Sequence, residues 1–318
     1  MPSAQLLQVA VGIVSNAHGE ILVALRPSDK HQGGLWEFPG GKVHNDESIA
    51  RATARELHEE LGIDVLGSTP LLSIRHQYPD LGVQLHVRRV DAYTGLAHGR
   101  EGQEIRWVKA TELHQLPFPA ANVPIIAAVN LPNHYAIMDA SILDTTTPSV
   151  ETLVAYLQQL LQQGITLIQV RLKQLPAPVL QAFLQQAQEL CALKAAQLLL
   201  NSELPGAFTS GHGLHLSSRM LLQLQQRPEN PGWIAASCHT LAELQHAADL
   251  GLDFAVLAPV LPTLTHPGTA SLGWAQFAAL VEHINIPVYA LGGMQHSDLA
   301  QAKQAGAQGI AGIRLFLS

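Results

Sequence analysis

The chain is short of charge and nearly free of cysteine. Only 14% of its 318 residues are charged while 47% are hydrophobic, against roughly one quarter charged in an average soluble protein. Glutamine fills the deficit in runs over 157–163 and 183–188, giving faces that are solvated but nearly neutral. Eighteen basic residues against 25 acidic ones, a formal charge of −7, leave no broad basic surface for a nucleic-acid backbone. Any phosphate ligand has to be gripped locally, by metal, backbone amides or a few arginines, and a nucleic-acid polymer is not an expected partner. Cys191 and Cys238 stand far apart, in neither a C-x-x-C nor a metal-finger spacing, which argues against a disulfide framework and for a reducing compartment. The sixteen histidines include no H-E-x-x-H. The apolar stretch 6–14 has no basic residue before it and runs into Ser15-Asn16-Ala17-His18-Gly19, so it reads as a first strand and turn rather than a signal peptide. No apolar run is long enough to span a bilayer. Together these absences predict a soluble cytoplasmic protein.

What is present falls into two halves, and the length suffices for two cores. Up to about residue 130, strand-like runs (9–14, 21–25, 83–90, 105–108) mix irregularly with one long helical stretch, 47–61, which predicts a mixed sheet. After Leu131-Pro132-Asn133 the rhythm becomes regular. Apolar runs at 135–138, 167–170, 198–200, 213–216, 234–236, 254–258, 288–291 and 309–313 alternate with helix-period segments at 150–163, 179–193, 241–250, 272–284 and 299–305. Eight β/α units in about 185 residues predict a small (β/α)8 barrel; an open doubly wound sheet is the alternative, but no nucleotide fingerprint supports it. The expected domains are 1–131 and 134–318. The short, weakly helical segment 202–212 predicts an irregular third unit.

The sharpest signal is Gly41-x5-Glu47-x7-Arg55-Glu56-Leu57-x-Glu59-Glu60-x-Gly62-Ile63, preceded by Glu37-Phe38-Pro39-Gly40-Gly41-Lys42. At helical spacing Ala50, Ala54, Leu57 and Leu61 share one stripe, while Glu56, Glu59 and Glu60 gather on the opposite side. Asn45-Asp46-Glu47 is expected to cap this helix, and Gly62 to end it in a left-handed turn. Like charges within one turn repel, so helix stability alone would not choose them; a hard divalent cation wants such clustered oxygens. A solvated acidic face would explain the glutamates but not the offsets of Gly41, Glu47, Arg55 and Gly62.

This pattern resembles the Nudix hydrolases, and within them the MutT-type enzymes that remove oxidised guanine nucleotides, over residues 5–131. The resemblance implies an α/β/α sandwich, a magnesium cofactor (or manganese in its place), and a small nucleotide substrate cleaved to a monophosphate and pyrophosphate. It implies metal ligation by the Gly40 carbonyl, Glu59 and Glu60, water activation by Glu56, a bracing role for Glu47, and an Arg55 that holds the glutamates by ion pairing. Within His98-Gly99-Arg100-Glu101-Gly102-Gln103, Glu101 matches a further metal ligand or base, the alternative being an exposed turn glutamate. Arg26, Phe38 and Asn122, the last within Phe118-Pro119-Ala120-Ala121-Asn122-Val123-Pro124, match positions that hold the nucleotide and its base. An asparagine amide offers a donor and an acceptor together to a purine edge, so Asn122 is a candidate to separate 8-oxoguanine from guanine. Shaping a proline-rich turn is its plainer role.

The second half resembles thiamine phosphate synthases and the TenI proteins over residues 134–318. The carrying motifs are Ile168-Gln169-Val170-Arg171-Leu172-Lys173, Asn201, His215-Leu216, Ser237-Cys238-His239-Thr240, Pro262-Thr263-Leu264-Thr265-His266 and Gly292-Gly293-Met294. The resemblance implies that Arg171, Lys173, Asn201, Thr263 and Thr265 approach a phosphate-bearing ligand, with Gly292 and Gly293 presenting backbone amides. Ser202 and Met220 stand where a synthase carries its magnesium-holding aspartates, and His266 replaces the synthase lysine. These departures speak against condensation of a pyrimidine diphosphate with a thiazole phosphate. Three readings stay open: a metal-free thiazole tautomerase using His239, a barrel that has lost catalysis and serves either as a structural module or as one that binds or senses a thiazole or pyrimidine phosphate, and a synthase. The pairing of halves also admits a Nudix unit acting on thiamine-pathway diphosphates.

Overall fold

In the computed structural model, which describes residues 6–29, 32–143, 148–172, 175–263 and 270–316, the chain divides between Asn130 and Leu131 into two units, with Glu282–Pro287 grouped with the first. The first unit contains β1 (Leu7–Ile13), β2 (Glu20–Leu25), β3 (Trp36–Glu37), β4 (Gly40–Lys42), α1 (Ile49–Leu61), β5 (Asp64–Gln77), β6 (Gly82–Thr94), β7 (Ile105–Lys109) and α2 (Val123–Asn130). Its sheet comes in two pieces. One has the order β4-β1-β6-β5, with β1 and β6 parallel and the outer pairs antiparallel; the other is the antiparallel β3-β2-β7.

Strand alternation separates two cores, as a sandwich requires. Ile21 and Val23 join the core that holds Ile125 and Ala128 of α2, whereas Leu22, between them, joins Leu57 and Leu61 of α1. Helix α1 lies directly on β1: a Cβ on Gly12 would come within 2.7 Å of the Leu57 side chain. Its cap differs from expectation. Ser48 caps the helix, its Oγ accepting the Arg51 N–H at 3.3 Å, while Asp46 turns the chain at φ 69° and Glu47 faces Arg55. Gly62 closes the helix at φ 69°, returning its N–H to the His58 carbonyl. Strand β5 was not expected because Gly67 and Pro70 interrupt its pattern. Register shifts beside both absorb the interruption, and an edge strand tolerates a missing N–H.

The second unit is a closed barrel of parallel strands β8 (His134–Asp139), β9 (Leu167–Arg171), β10 (Gln197–Asn201), β11 (Gly213–Leu216), β12 (Ile234–Cys238), β13 (Phe254–Leu257), β14 (Val288–Leu291) and β15 (Gly309–Gly312). Pairing of Ile310 with His134 closes the ring and excludes the open-sheet alternative. Around it run α3 (Val150–Gln162), α4 (Ala177–Leu193), α5 (Ser218–Leu221), α6 (Leu241–Asp249), α7 (Gly273–Val281) and α8 (Leu299–Gln304). Between β10 and β11 the described structure has only a single 3-10 turn, Ala207–Thr209. Large and small side chains share the interior: the rings of Tyr135, Phe254 and Tyr289 lie 5.3–5.6 Å apart, and Ala235 and Ala311 belong to the same core cluster. Among the described residues no helix is long and apolar enough to cross a membrane.

Candidate active site

In the first unit the loop β3–β4 and helix α1 meet at two glycines. A Cβ on Gly41 would stand 2.4 Å from the Glu56 carboxylate, so only a glycine lets that side chain lie against the strand. Gly40 is held at φ 149° with no room beside Ala10, and its N–H donates to Glu60 Oε2 at 3.0 Å. Arg55 organises the rest. Its Nη1 donates to Glu56 at 2.8 Å and Glu59 at 3.0 Å, its Nη2 to Glu47 at 2.7 Å and to the Lys42 carbonyl at 2.9 Å. Those hydrogen bonds hold the Glu47 carboxyl down at about 2.

The three helix carboxylates therefore occupy different surroundings. Glu59 is 53% exposed and Glu56 13%, both tied to Arg55, whereas Glu60 turns into a pocket of about 620 Å³. Burial pushes the Glu60 carboxyl up to about 8; the Gly40 N–H opposes this, and the nearby charges of Glu37, Glu56 and Glu101 reinforce it. The donors here, carboxylates and the Gly40 carbonyl, are hard oxygens of the kind that divalent cations take. Among the described residues no three acidic, histidine or cysteine side chains already converge as a metal cage, since Arg55 occupies Glu56 and Glu59.

The pocket gathers residues far apart in sequence. Arg26, Phe38, Gly40, Glu60, Glu101 and Asn122 all line it. Glu56, Glu59 and Arg55 stand beside it rather than in its wall. Phe38 stacks on Phe118 with centroids 5.2 Å apart. Asn122 is 8% exposed, and its side-chain amide makes no hydrogen bond among the described residues. Sequence reasoning missed Glu37 and Tyr78. Glu37 pairs with Arg26 in the pocket wall, and burial raises its carboxyl. Tyr78 lies just beyond β5, in the part of the chain whose strand went unread.

In the barrel, the matched residues sit at the C-terminal ends of strands. Arg171 ends β9 and pairs with Asp139 at the end of β8, a partner that the apolar run 135–138 stops just short of. Asn201 ends β10, 3% exposed, and accepts the Glu203 N–H. Ser202, just past β10, accepts the Ser217 N–H at 3.0 Å, so this hydroxyl ties two loops together. His239 follows β12; its Nδ1 lies 2.8 Å from the Ala258 carbonyl, which can only accept, so Nε2 is the free ring nitrogen. Gly292 and Gly293 follow β14 at φ 103° and 67°. Thr263 is half-buried at the edge of its described segment, and Lys173 and Thr265 lie outside the described residues.

Sequence reasoning did not foresee a polar thread inside this barrel. His215 Nδ1 lies 2.9 Å from the Tyr135 hydroxyl, and Nε2 lies 2.8 Å from Ser237 Oγ. The buried Tyr135 hydroxyl has no other acceptor among the described residues, so it donates to Nδ1. His215 then donates from Nε2 to Ser237, whose own hydrogen is left for the strand-end rim. Burial first, and the Arg171 charge second, push the His215 pKa from 6.5 down to about 3. Between those values the unfolded chain binds a proton that the folded one refuses, so stability falls as pH drops through that window, by up to about 1.4 kcal/mol per pH unit. Urea unfolding of the chain at about pH 7 and about pH 5 is expected to show this slope, and His215→Leu to flatten it.

A carboxylate helix tied to a glycine loop beside a nucleotide-sized pocket defines the first unit as a hydrolase of phosphoric anhydrides. The family models agree. Residues 10–128 match the NUDIX domain and residues 135–316 match Thiamine monophosphate synthase, and the chain belongs to both families. An 8-oxo-dGTP diphosphatase of Escherichia coli is 37% identical over 121 residues, which are 38% of this chain and 94% of that protein. A CTP pyrophosphohydrolase of the same organism is 36% identical over 124 residues, 39% of this chain and 91% of that one. In the second unit, a thiamine-phosphate synthase of Herpetosiphon aurantiacus is 30% identical over 186 residues, 58% of this chain and 88% of that protein.

Proposed function

We propose that the first unit hydrolyses 8-oxo-dGTP to 8-oxo-dGMP and pyrophosphate, removing an oxidised nucleotide before it can enter DNA. The observation that carries this reading is the place of Asn122, a largely buried residue whose side-chain amide lines the pocket and makes no hydrogen bond among the described residues. A purine edge that enters the pocket displaces water from this amide and offers it a complementary donor and acceptor. Phe38, stacked on Phe118, supplies an apolar wall for a flat base. The Gly40 carbonyl, Glu56, Glu59, Glu60 and Glu101 are the groups that would hold magnesium, or manganese, whose charge neutralises phosphate oxygens. Glu56, half-neutralised by Arg55 and pressed on Gly41, takes the proton of the attacking water. Arg55 keeps that carboxylate in place through its bonds to Glu47 and the Lys42 carbonyl. Arg26, held by Glu37, is a cation on the pocket wall suited to the nucleotide's phosphates.

The barrel in this reading binds a thiazole or pyrimidine phosphate without joining two substrates, since Ser202 and Met220 replace the carboxylates that condensation needs. The test sets free 8-oxo-dGTP, dGTP, CTP and thiamine diphosphate side by side, with pyrophosphate or phosphate release as readout. A preference for 8-oxo-dGTP is expected. Equal rates on dGTP or CTP would sink the assignment, and faster cleavage of thiamine diphosphate would move the activity to that pathway. Calorimetry with a thiazole phosphate, followed by a search for isomerised product, separates a binding barrel from a tautomerase.

A further inference from the structure

The loop 98–103 is latched onto the C-terminal end of α1. The last carbonyls of a helix lack intrahelical partners. Here the Arg100 N–H and Gln103 Nε2 both donate to the Glu60 carbonyl, at 2.9 and 3.0 Å; the His98 N–H donates to the Leu61 carbonyl at 3.1 Å, and Arg100 Nη1 to the His58 carbonyl at 3.0 Å. Gly99 is required for this closure, because a Cβ there would fall 2.1 Å from the Gln103 carbonyl.

Gln103 differs from the other latches in using both ends of its amide. While Nε2 donates to the Glu60 carbonyl, Oε1 accepts the Glu101 N–H at 2.9 Å. One side chain thus joins the main chain of the residue that turns into the pocket from the helix to the main chain of the residue that enters it from the loop. Both carboxylates line the same pocket, and the charge of Glu101 is felt at Glu60. An untied loop would leave the distance between the two carboxyls unset, so something in the chain has to hold it.

We propose that Gln103 is a positioning residue that fixes the spacing of Glu60 and Glu101 before a divalent cation arrives. The role rests on the reading of those two glutamates as cation-holding groups. With the clamp in place the loop's ordering cost is met during folding, so that cation binding does not have to meet it.

The experiment uses the full chain, with Gln103→Met, which keeps the length and loses both hydrogen bonds, and Gln103→Ala. Amide hydrogen exchange without metal reads the clamp: exchange at Glu101 should rise roughly tenfold or more in both variants, while the centre of α1 stays protected. Manganese binding, followed by electron paramagnetic resonance, should weaken roughly tenfold for two lost hydrogen bonds. At saturating manganese kcat should return to that of the unaltered chain. Unchanged exchange at Glu101, or unchanged manganese affinity with a loosened loop, overturns the proposal. If the unaltered chain binds no manganese, the cation reading itself fails, and the exchange measurement still decides whether Gln103 orders the loop.

Discussion

In Glu56→Gln, pyrophosphate release from 8-oxo-dGTP at saturating magnesium is expected to fall roughly 10²–10⁴-fold, the usual worth of a positioned general base. The substitution isolates the proton transfer. An amide oxygen can still accept the Arg55 Nη1 bond, now 2.8 Å long, and the side chain keeps its length beside Gly41, so the helix and its loop should hold. A melting temperature close to that of the unaltered chain would certify this. Retention of more than about a tenth of the rate would show that another group takes the proton. Glu101 would then be the first to examine, because its loop is tied to the same helix and its side chain lines the adjoining pocket.

The second large effect concerns choice of base rather than rate. Asn122→Ala removes an amide from the pocket wall, and it leaves Phe38, backed by Phe118, to hold any flat base. The ratio of kcat/KM for 8-oxo-dGTP over dGTP should drop roughly 10- to 100-fold, since a lost buried hydrogen-bond pair costs about 1–3 kcal/mol. The loss should fall on 8-oxo-dGTP, with dGTP turnover little altered. Equal losses on both nucleotides would mean that Asn122 shapes the turn after Phe118 and does not read the base.

The barrel was legible because each of its strands is buried on both faces and so forms a continuous apolar run. A run such as 288–291 could be bounded to the residue from hydrophobicity alone. Strand β5 was not, because Gly67 and Pro70 broke a pattern that the edge position and local register shifts then accommodated. The carboxylate helix announced itself through spacing within one element. Its cap did not: Asn45, Asp46 and Glu47 all carry capping chemistry, and only the direction of the loop shows that Ser48 caps while Glu47 serves Arg55. Glu37 and Asp139 were unread for a common reason. Each is a lone charge at the end of an apolar strand, and its meaning comes from a partner, Arg26 or Arg171, that the sheet places next to it. The His215 thread depends likewise on strand order, which joins Tyr135 and Ser237 across the barrel interior.

Closure of the barrel by pairing of β15 with β8 has a consequence for the chain during synthesis. By the time Lys109 leaves the ribosome every strand of the hydrolase unit has emerged, whereas the seam of the barrel stays unsealed until Gly309–Gly312 follows. At roughly 5–20 residues per second, and roughly 200 residues apart, that is a lag of roughly 10–40 s. Throughout it β8 presents an unpaired edge next to a growing set of apolar parallel strands, the kind of surface that recruits other chains or chaperones. The nascent protein therefore carries a unit whose strands are all present early ahead of one that must wait for its last strand, and truncated or stalled products should aggregate through the barrel.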